Sequence, residues 1–312
     1  MREWCERLRE QCDFLRKAYR LEEAQKCLQQ CLDLLVSQLG PSELEVGYLH
    51  VQLGNLAYER GRIGEAESSH SAGLGILQIS LDAQHPDIAN CINNLANDYF
   101  KQGKLTEALQ LHRSALQLYT KIYRGGNVVL ANSLNNLSNV YMEMEDFRQA
   151  QKYQQRALRM RLRVCDEIDP ALGNSYNNLG NILYHLSRNE RAEWCLRRAL
   201  KVYKKSLPTE HLEVGNTLNN LGTVLYSQKK WTKALKYHQQ AFDIRRSALP
   251  RNHPDLANSL NNLGNDYLAM KNYLQAQDNL QRAVDILQEV LPAESHQLLI
   301  AQYNLQQASE HL

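Results

Sequence analysis

Apolar residues recur along the chain at the spacing of amphipathic helices, and short polar turns separate one apolar pattern from the next. In one such pair of patterns, Ile92, Leu95 and Tyr99 fall on a single side of the first helix. Ala108 and Leu116 mark the apolar side of the second helix. The seven prolines lie between these pairs and never inside a helical pattern, where a proline would break the helix. The pattern predicts an all-α chain of helical hairpins.

The hairpins repeat with a period of 42 residues. The tripeptide Asn-Asn-Leu occurs at this interval at 93–95, 135–137, 177–179, 219–221 and 261–263. A register of alanines follows the same period, at Ala24, Ala66, Ala108, Ala150, Ala192, Ala234 and Ala276. Such regularity is the signature of a repeat architecture. We number positions within the repeat so that Ala108 is position 20, and we call the two helices of each repeat helix A and helix B.

A single hairpin cannot bury its own apolar stripe, so the repeats must stack into a solenoid. We expect one continuous solenoid domain, with an N-terminal capping repeat at 1–46, six repeats at 47–298 and a C-terminal capping helix at 299–312. The first repeat departs most from the others, since Gln11 replaces the usual Leu and Cys12 the usual Gly or Ala. A cap tolerates this because its outer face has no neighbour.

The residues of the repeat resemble a known family. Leu at position 7, Gly or Ala at position 8, Tyr at position 11 and Ala at positions 20 and 27 resemble the tetratricopeptide repeat. The 42-residue period and the motif His-Pro-Asp-x-Ala-Asn-x-x-Asn-Asn-Leu, at 85–95 and 253–263, resemble its kinesin light chain class, although the coiled coil of kinesin light chain itself is missing. The resemblance implies a right-handed superhelical solenoid of seven helix-turn-helix repeats plus a C-terminal capping helix, with helix A lining a concave groove.

Asparagine dominates the side of helix A that lies opposite the apolar stripe. Position 2 is occupied by Asn90, Asn132, Asn174, Asn216 and Asn258. Positions 5 and 6 are occupied by Asn93, Asn94, Asn135, Asn136, Asn177, Asn178, Asn219, Asn220, Asn261 and Asn262. Position 9 is occupied by Asn55, Asn97, Asn139, Asn181, Thr223 and Asn265. We call this surface the asparagine face.

Helix stability does not explain the asparagine face, because exposed Asn is a weaker helix former than Ala. A carboxamide has one acceptor oxygen and two N–H donors on a neutral stem, which suits it to bind the backbone of an extended peptide. By resemblance, asparagine rows in this family hold extended partner segments. We therefore expect the asparagine face to bind peptides. The alternative, that these side chains bridge neighbouring A helices, stays open, above all at position 6.

Residues at the edge of the asparagine face suggest the chemistry of its partner. Lys101, Lys104, His185 and Arg188 stand at positions 13 and 16, with an acidic centre around Glu143. We expect the basic residues to contact an extended or partly disordered protein segment that has apolar side chains and scattered acidic residues. Position 12 is aromatic or apolar, and we favour packing against the next helix over apolar pockets there.

Charge and composition narrow the compartment and the partners. The 36 Lys and Arg residues against 34 Asp and Glu leave a net charge of +2, which does not favour nucleic-acid binding. No apolar run approaches the length of a transmembrane helix, and the charged start does not resemble a signal peptide. Seven cysteines without framework spacing indicate reduced thiols. We expect a cytoplasmic protein with neither a membrane nor a nucleic-acid partner.

Catalytic motifs are missing from the sequence, which has no glycine-rich phosphate loop and no Gly-x-Ser-x-Gly elbow. We expect a non-enzymatic protein without a cofactor. Cys5, Cys12, Cys27 and Cys31 gather on the first hairpin, a grouping that would suit zinc. Since Cys27 and Cys31 occupy positions that are apolar or small in other repeats, we favour core cysteines and expect no metal site.

The histidines mostly follow the repeat. His70, His112 and His238 share position 24, where we expect partly buried packing residues and not catalytic bases. His85 and His253 each precede Pro and Asp, which suits a loop residue at the start of a helix.

These expectations converge on binding and not on turnover. We expect a cytoplasmic adaptor or scaffold that holds an extended segment of another protein along the asparagine face. The alternative is the sensor or autoinhibitory repeat region of a larger signalling ATPase or other enzyme. Self-association through the flanks or caps, which the exposed last helix leaves open, is compatible with the adaptor function.

Overall fold

The computed structural model describes residues 2–123 and 125–311, with the backbone alone for residues 2–6, 8 and 9. Within these ranges it has fifteen α-helices and no strand, which confirms the all-α solenoid of helical repeats. The A helices are α1 Arg2–Lys17, α3 Leu44–Glu59, α5 Pro86–Lys101, α7 Val128–Glu143, α9 Pro170–His185, α11 Leu212–Ser227, α13 Pro254–Ala269 and α15 His296–Ser309. The B helices are α2 Leu21–Leu39, α4 Ile63–Ser80, α6 Leu105–Ile122, α8 Phe147–Val164, α10 Asn189–Ser206, α12 Trp231–Ala248 and α14 Tyr273–Val290.

The chain forms two compact units, Met1–Tyr153 and Gln154–Leu312, with the boundary inside α8. In the first unit α3 packs on α4 and α5 on α6, and each hairpin contacts the next through α4 and α5. The second unit has the same arrangement, with the hairpins α9–α10, α11–α12 and α13–α14 and contacts between α10 and α11 and between α12 and α13. Each unit is therefore a stack of hairpins that share their apolar stripes.

The start of most A helices is fixed by a side chain and, in several, by proline. His85, His211 and His253 each precede a helix and accept a hydrogen bond at Nδ1 from the backbone N–H two residues later, at 3.1 to 3.2 Å. Asp169 serves α9 in the same way at 2.8 Å. Proline at the first turn of α5, α9 and α13 lacks an N–H that the helix would leave unpaired. The expected helix-start role of His85 and His253 is confirmed.

The turn inside each hairpin uses one residue in the left-handed region of the backbone, always at position 15. Glycine takes this place at Gly61 and Gly103, with φ of 74° and 75°. Side-chain-bearing residues take it elsewhere, with φ between 56° and 61°, at Tyr19, Glu145, Ser187, Lys229 and Lys271. The turn geometry is thus common to the repeats although its sequence is not.

Small residues let the two helices of a hairpin approach closely. All seven alanines of position 20 are fully buried. A Cβ atom on Gly222 would come within 2.4 Å of the His238 ring, and one on Gly54 within 2.5 Å of the His70 ring. Position 8 is therefore limited to small residues because the position-24 side chain of the same repeat packs directly on it.

The cysteines of the first hairpin lie in its core. Cys12, Cys27 and Cys31 are at most 9% exposed and pack with leucines of α1 to α3. The side chain of Cys5 lies outside the described residues. The core-cysteine interpretation agrees with this packing. No cluster of His, Cys, Asp or Glu suited to a metal occurs in the described part of the chain.

Two buried histidine–aspartate pairs join successive repeats, and the sequence analysis did not anticipate them. His70 Nδ1 lies 2.6 Å from Asp98 Oδ2, and His238 Nδ1 lies 2.6 Å from Asp266 Oδ2. All four side chains are at most 2% exposed, so the expectation of partly buried histidines was wrong. Burial raises the pKa of both carboxyl groups. The hydrogen bond from each histidine lowers the pKa, but the effect of burial is larger.

His112 has no such carboxylate, because Val140 stands at the position that Asp98 and Asp266 occupy in their repeats. His112 is 1% exposed, and its Nδ1 has no hydrogen-bond partner among the described residues. Burial without a compensating charge lowers the pKa of His112 to about 4. One repeat of the array thus buries a neutral histidine where two others bury a polar pair.

Candidate functional site

The asparagines of positions 5 and 6 hydrogen-bond to each other across successive repeats. In the first unit, Asn136 Nδ2 donates to Asn93 Oδ1 at 3.1 Å. In the second unit the donor and acceptor pairs are Asn220 to Asn177, Asn262 to Asn219 and Asn304 to Asn261, at 2.9 to 3.1 Å. Position 6 therefore bridges neighbouring A helices, which is the alternative that the sequence left open. Asn135 and Asn178 also have interaction partners.

The asparagines of position 2 contact helix B of their own repeat. Tyr119 donates its hydroxyl proton to Asn90 Oδ1 at 2.7 Å, and Tyr203 donates likewise to Asn174 at 2.5 Å. The oxygen of Asn216 instead accepts from the guanidinium of Arg245, at 2.8 Å from Nη2.

The helix B residues involved all stand at position 31, which the sequence analysis did not single out. The sequence signal was a large polar side chain at that position, 29 residues after each asparagine. Asn132 also has an interaction partner. Asn258 is half-buried, and its own repeat has Leu287 at position 31.

Arg245 shows how such a contact buries a cation. The side chain is 7% exposed, and its Nη1 donates to Ser259 Oγ at 2.8 Å and to the Asp255 carbonyl at 3.3 Å. Burial lowers the pKa of Arg245, which still remains charged at any physiological pH. Position 2 therefore helps to hold together the hairpins of Asn90, Asn174 and Asn216.

Position 9 is different, because four of its five asparagines form no bond between repeats in the described ranges. Asn97 and Asn139 in the first unit, and Asn181 and Asn265 in the second, are half-buried. Their side chains form no hydrogen bond with any other residue in the described ranges, and none of their polar atoms is sealed from solvent. These four carboxamides, which we call the position-9 row, have donors and acceptors that are not used by any other residue in the described ranges.

Two other residues at position 9 are engaged. Asn55 Oδ1 accepts from Asn94 Nδ2 at 2.9 Å and lies 3.1 Å from His70 Nε2. Thr223 donates to the carbonyl of Asn219 in its own helix at 3.1 Å. The row is therefore absent from α3 and α11.

A cavity of about 310 Å³ opens on the asparagine face of the first unit. Asn94 and Asn97 of α5 line one side, and Tyr58 and Glu59 of α3 line the other. Glu59 is ion-paired with Arg16, which also lines the cavity. The cavity has room for a side chain of a bound segment, with a carboxamide of the position-9 row at its edge.

The basic residues expected at the edge of the face are exposed but differ in their contacts. Lys101 is exposed and forms no ion pair among the described residues. Lys104 Nζ lies 3.6 Å from Glu67 and 5.0 Å from the centre of the Tyr99 ring. A hydrogen bond from Gln102, together with Lys104, lowers the pKa of Glu67.

In the second unit, His185 and Arg188 are exposed, and both have interaction partners. His185 packs edge-on against Tyr184 at 5.5 Å between ring centres, and Arg188 precedes the first residue of α10.

The aromatic and apolar residues of position 12 are mostly half-buried, as packing against a neighbour requires. Tyr58 and Tyr184 are half-buried, while Tyr226 is 37% exposed. Burial raises the pKa of Tyr58 and of Tyr226. The side chains of position 12 are therefore partly packed in the core and partly accessible to solvent.

The sequence matches the tetratricopeptide repeat family along most of its length. Six overlapping segments match, at 45–121, 87–163, 129–205, 171–247, 213–289 and 255–307. No curated protein is similar enough in sequence to match the chain. None of the described helices has the length and apolar character that crossing a membrane requires.

Solved structures of repeat proteins have a similar fold. BtubC (BKLC) from P. vanneervenii is 23% identical, with 75% of this chain and 96% of that chain covered and a TM-score of 0.62. Kinesin-light-chain-like TPR repeats from Podosopora anserina are 19% identical, with 68% and 99% covered and a TM-score of 0.56.

A third similar structure belongs to a larger protein. The signal transduction ATPase with numerous domains from Pyrococcus horikoshii, which has a tetratricopeptide repeat sensor, is 17% identical with a TM-score of 0.69. The likeness covers 98% of this chain and 44% of that chain. At such identities the likeness concerns the fold alone. Through its sequence matches, the chain belongs to the tetratricopeptide repeat family.

Proposed function

We propose that the chain is an adaptor or scaffold whose asparagine face binds an extended segment of a partner protein. Tetratricopeptide arrays are scaffolds typical of protein–protein interaction. The observation that carries the finer proposal is the position-9 row, because its half-buried carboxamides have no hydrogen-bond partner in the described chain. Polar groups that are partly removed from water and left unpaired favour a ligand that pairs them.

The chemistry of a carboxamide suits the backbone of a peptide. Every residue of an extended chain other than proline has one N–H donor and one C=O acceptor to satisfy. An asparagine side chain offers both complements without a charge, so it holds the backbone and leaves sequence preference to other residues. Neighbouring helices lie about 10 Å apart and an extended chain rises about 3.3 Å per residue, so each repeat addresses about three residues of the segment.

The inter-repeat bonds support this function indirectly. The pair Asn220–Asn177 and its equivalents fix the spacing of successive A helices. A fixed spacing would hold Asn97 relative to Asn139, and Asn181 relative to Asn265, at set distances within each unit before any partner arrives. Preorganisation of this kind raises affinity, because less freedom is lost on binding.

Lys101 gives the proposed segment an acidic preference in the first unit. Its ammonium group is exposed and unpaired within the described chain, and it follows Asn97 by one helical turn. Lys104 contributes less, because Glu67 already neutralises it in part.

A comparative pull-down tests the proposal. The wild-type chain and a variant with Asn97, Asn139, Asn181 and Asn265 changed to Ala are immobilised and exposed to cell lysate. The matched control changes four exposed B-helix glutamines to Ala, namely Gln110, Gln117, Gln240 and Gln288. Circular dichroism checks that both variants keep their helices. We expect a set of partners, identified by mass spectrometry, that the control retains and the asparagine variant loses.

Identical partner sets for all three proteins would contradict the proposal and would direct attention to the B helices. Loss of the same partners from both variants would also contradict it, since the effect would not be specific to position 9.

A second candidate is a sensor array within a larger signalling ATPase. In the Pyrococcus horikoshii protein an array of this fold is such a sensor. If this chain had that function, its asparagine face would bind a segment of the same polypeptide. An antibody against the array distinguishes the two functions in the source cells. A sensor predicts that the polypeptide captured by the antibody also contains an ATPase domain, identified by mass spectrometry, and an adaptor predicts that it does not.

A further inference from the structure

A small apolar cavity with basic walls lies among the B helices of the unit Gln154–Leu312, apart from the asparagine face. Its volume is about 190 Å³. Leu172 and Tyr176 of α9 and Val202 of α10 form its apolar lining, and Leu162 of α8 stands at its side. Leu172 is 3% exposed whereas Leu162 is 54% exposed, so the lining runs from the core of the unit to its surface.

Cations dominate the rest of the cavity. Arg198, Lys201 and Lys205 of α10 line it, and Glu167 is its one acidic lining residue in the described chain. Lys201 and Lys205 are exposed and form no ion pair within the described ranges. The positive charge at this cavity is therefore largely uncompensated.

The charge is peculiar to two neighbouring helices. Arg198, Lys201 and Lys205 stand at positions 26, 29 and 33 of the repeat, which share one face of helix B. The same positions of α8 hold Arg156, Arg159 and Arg163. On α12 they hold Gln240, Asp243 and Ser247, and on α14 they hold Arg282, Asp285 and Glu289. Since the fold does not require basic residues there, six cations on α8 and α10 point to a function.

Exposed aromatic surface adjoins the cavity. Trp194 is 53% exposed and packs edge-on against Tyr176, with 5.9 Å between ring centres. The guanidinium of Arg198 lies over the Trp194 ring at 5.1 Å. Exposed Trp and Arg beside an apolar cavity are the residue types that dominate binding energy at protein interfaces.

We propose that this basic patch, defined by Arg198, Lys201 and Lys205 of α10 and the cavity that they line, is a second docking site. Its ligand is an acidic segment of a partner protein that inserts one apolar side chain into the cavity. The acidic residues of the segment pair with Lys201 and Lys205, and the inserted side chain covers Tyr176 and Val202. The site is independent of the asparagine face.

The geometry favours a peptide over the other anionic ligands. A bilayer surface would meet the cations but would not reach Leu172, which lies at the bottom of the cavity. Glu167 at the cavity would repel a phosphate, whereas a peptide can place an N–H group or its own polar side chain there.

Binding of the full chain to a peptide array tests the charge. The array contains extended peptides of about ten residues, enough to span two neighbouring helices. The central residue is Ala, Leu, Phe or Trp, and the flanks are acidic, neutral or basic. The variant Lys201→Glu/Lys205→Glu is compared with Lys233→Glu/Lys236→Glu, which makes the same change in net charge at exposed positions of α12.

We expect the wild-type chain to select acidic flanks with a large apolar centre. Reversal of Lys201 and Lys205 should weaken the selected peptides about tenfold or more, while reversal of Lys233 and Lys236 changes their affinity about twofold at most. The variant with the four position-9 asparagines changed to Ala should bind them normally.

A second pair of variants tests the cavity. Leu162→Ser removes an exposed apolar side chain that lines the cavity, and Val164→Ser removes a comparably exposed one that does not. The first should reduce the preference for Leu, Phe or Trp over Ala at the peptide centre, and the second should leave it unchanged.

Three results would overturn the proposal. The first is an array on which acidic flanks or an apolar centre bring no advantage. The second is an equal loss of binding in both charge-reversal variants, which would mean a general electrostatic effect. The third is binding of wild type to phosphatidylserine vesicles or to single-stranded RNA, sensitive to Lys201→Glu/Lys205→Glu, without binding of acidic peptides.

Discussion

Asn262 and Asn265 stand one turn apart on α13 and have different surroundings. Asn262 Nδ2 donates to Asn219 of the preceding repeat at 3.0 Å, whereas Asn265 has no side-chain partner in the described chain. The same contrast separates Asn136 from Asn139 on α7. The position of an asparagine in the helical register therefore decides whether it bonds to the neighbouring repeat or has no side-chain partner in the described chain.

The first prediction concerns stability at these two positions. Asn262→Ala should lower the free energy of unfolding by about 1 kcal/mol, because it breaks a hydrogen bond and leaves a half-buried oxygen on Asn219 unpaired. Asn265→Ala should leave that free energy unchanged or raise it by about 0.5 kcal/mol, since Ala is the better helix former. Urea unfolding followed by circular dichroism measures both. Equal losses would mean that position 9 is structural as well.

The second prediction follows from the buried, unpartnered His112. Its pKa is about 4 in the folded state and about 6.5 in an unfolded chain, so the unfolded state takes up the proton first as the pH falls. Stability tied to His112 is therefore complete above about pH 6.5, declines towards pH 4 and is constant below that. The loss amounts to about 3 kcal/mol.

His112→Gln removes this titration, and Gln154 shows that the fold accepts Gln at the same position. Urea unfolding of both proteins at pH 7 and pH 4.5 gives the comparison. The variant should lose less stability than the wild-type chain on acidification. The same loss in both would contradict the assignment.

At the scale of the element, the hairpin turn is more uniform than its sequence. Lys271 and Gly103 both adopt the left-handed conformation, with φ of 61° and 75°. That conformation costs a residue with a Cβ atom about 1–2 kcal/mol, and glycine avoids the cost but loses more entropy on folding. The side chain at this position is free to vary because a Cβ on Gly103 would meet nothing within 4 Å.

The third prediction exploits this difference. Lys271→Gly should raise the free energy of unfolding by about 0.5 kcal/mol, and Gly103→Ala should lower it by about 1 kcal/mol. Thermal unfolding of each variant against wild type provides the measurement. A lower midpoint for Lys271→Gly would show that the lysine side chain contributes contacts that outweigh the backbone strain.

Much of the element structure could be predicted from sequence because it depends on local spacing. The 42-residue register placed Ala108 and its equivalents in the core, and all seven are fully buried. His85 and His253 were expected at helix starts, and both accept the N-terminal hydrogen bond there. Capping and amphipathic spacing involve residues a few positions apart, which a single sequence displays directly.

The partners of the polar residues could not be predicted in the same way. Whether Asn220 reaches Asn177 depends on the rotation and translation between two A helices, which no local spacing encodes. Asp98 and Asp266 interrupt a register that is apolar in other repeats, and only the fold shows that His70 and His238 lie against them. The position-9 row is distinguished from the other asparagines only by these bonds, because its own carboxamides form none in the described ranges.

At the scale of the molecule, the chain offers different surfaces on its two kinds of helix. The A helices of each unit present carboxamides, and in the unit Gln154–Leu312 the helices α8 and α10 also present cations. A stack of similar repeats tolerates this variety, because each repeat is stabilised mainly by its nearest neighbours. Surface residues can then change from one repeat to the next while the core register is kept.

The central claim is that a partner segment lies on the asparagine face, and site-specific photo-crosslinking tests it most directly. A benzophenone amino acid replaces Asn97 or Asn181 in the position-9 row or, as the control, the exposed Lys236 on helix B. Each protein is irradiated in cell lysate and its adducts are identified by mass spectrometry. The account predicts that the two position-9 sites crosslink to extended segments of shared partners and that Lys236 does not. Adducts of those partners from Lys236 alone, with none from Asn97 or Asn181, would contradict it.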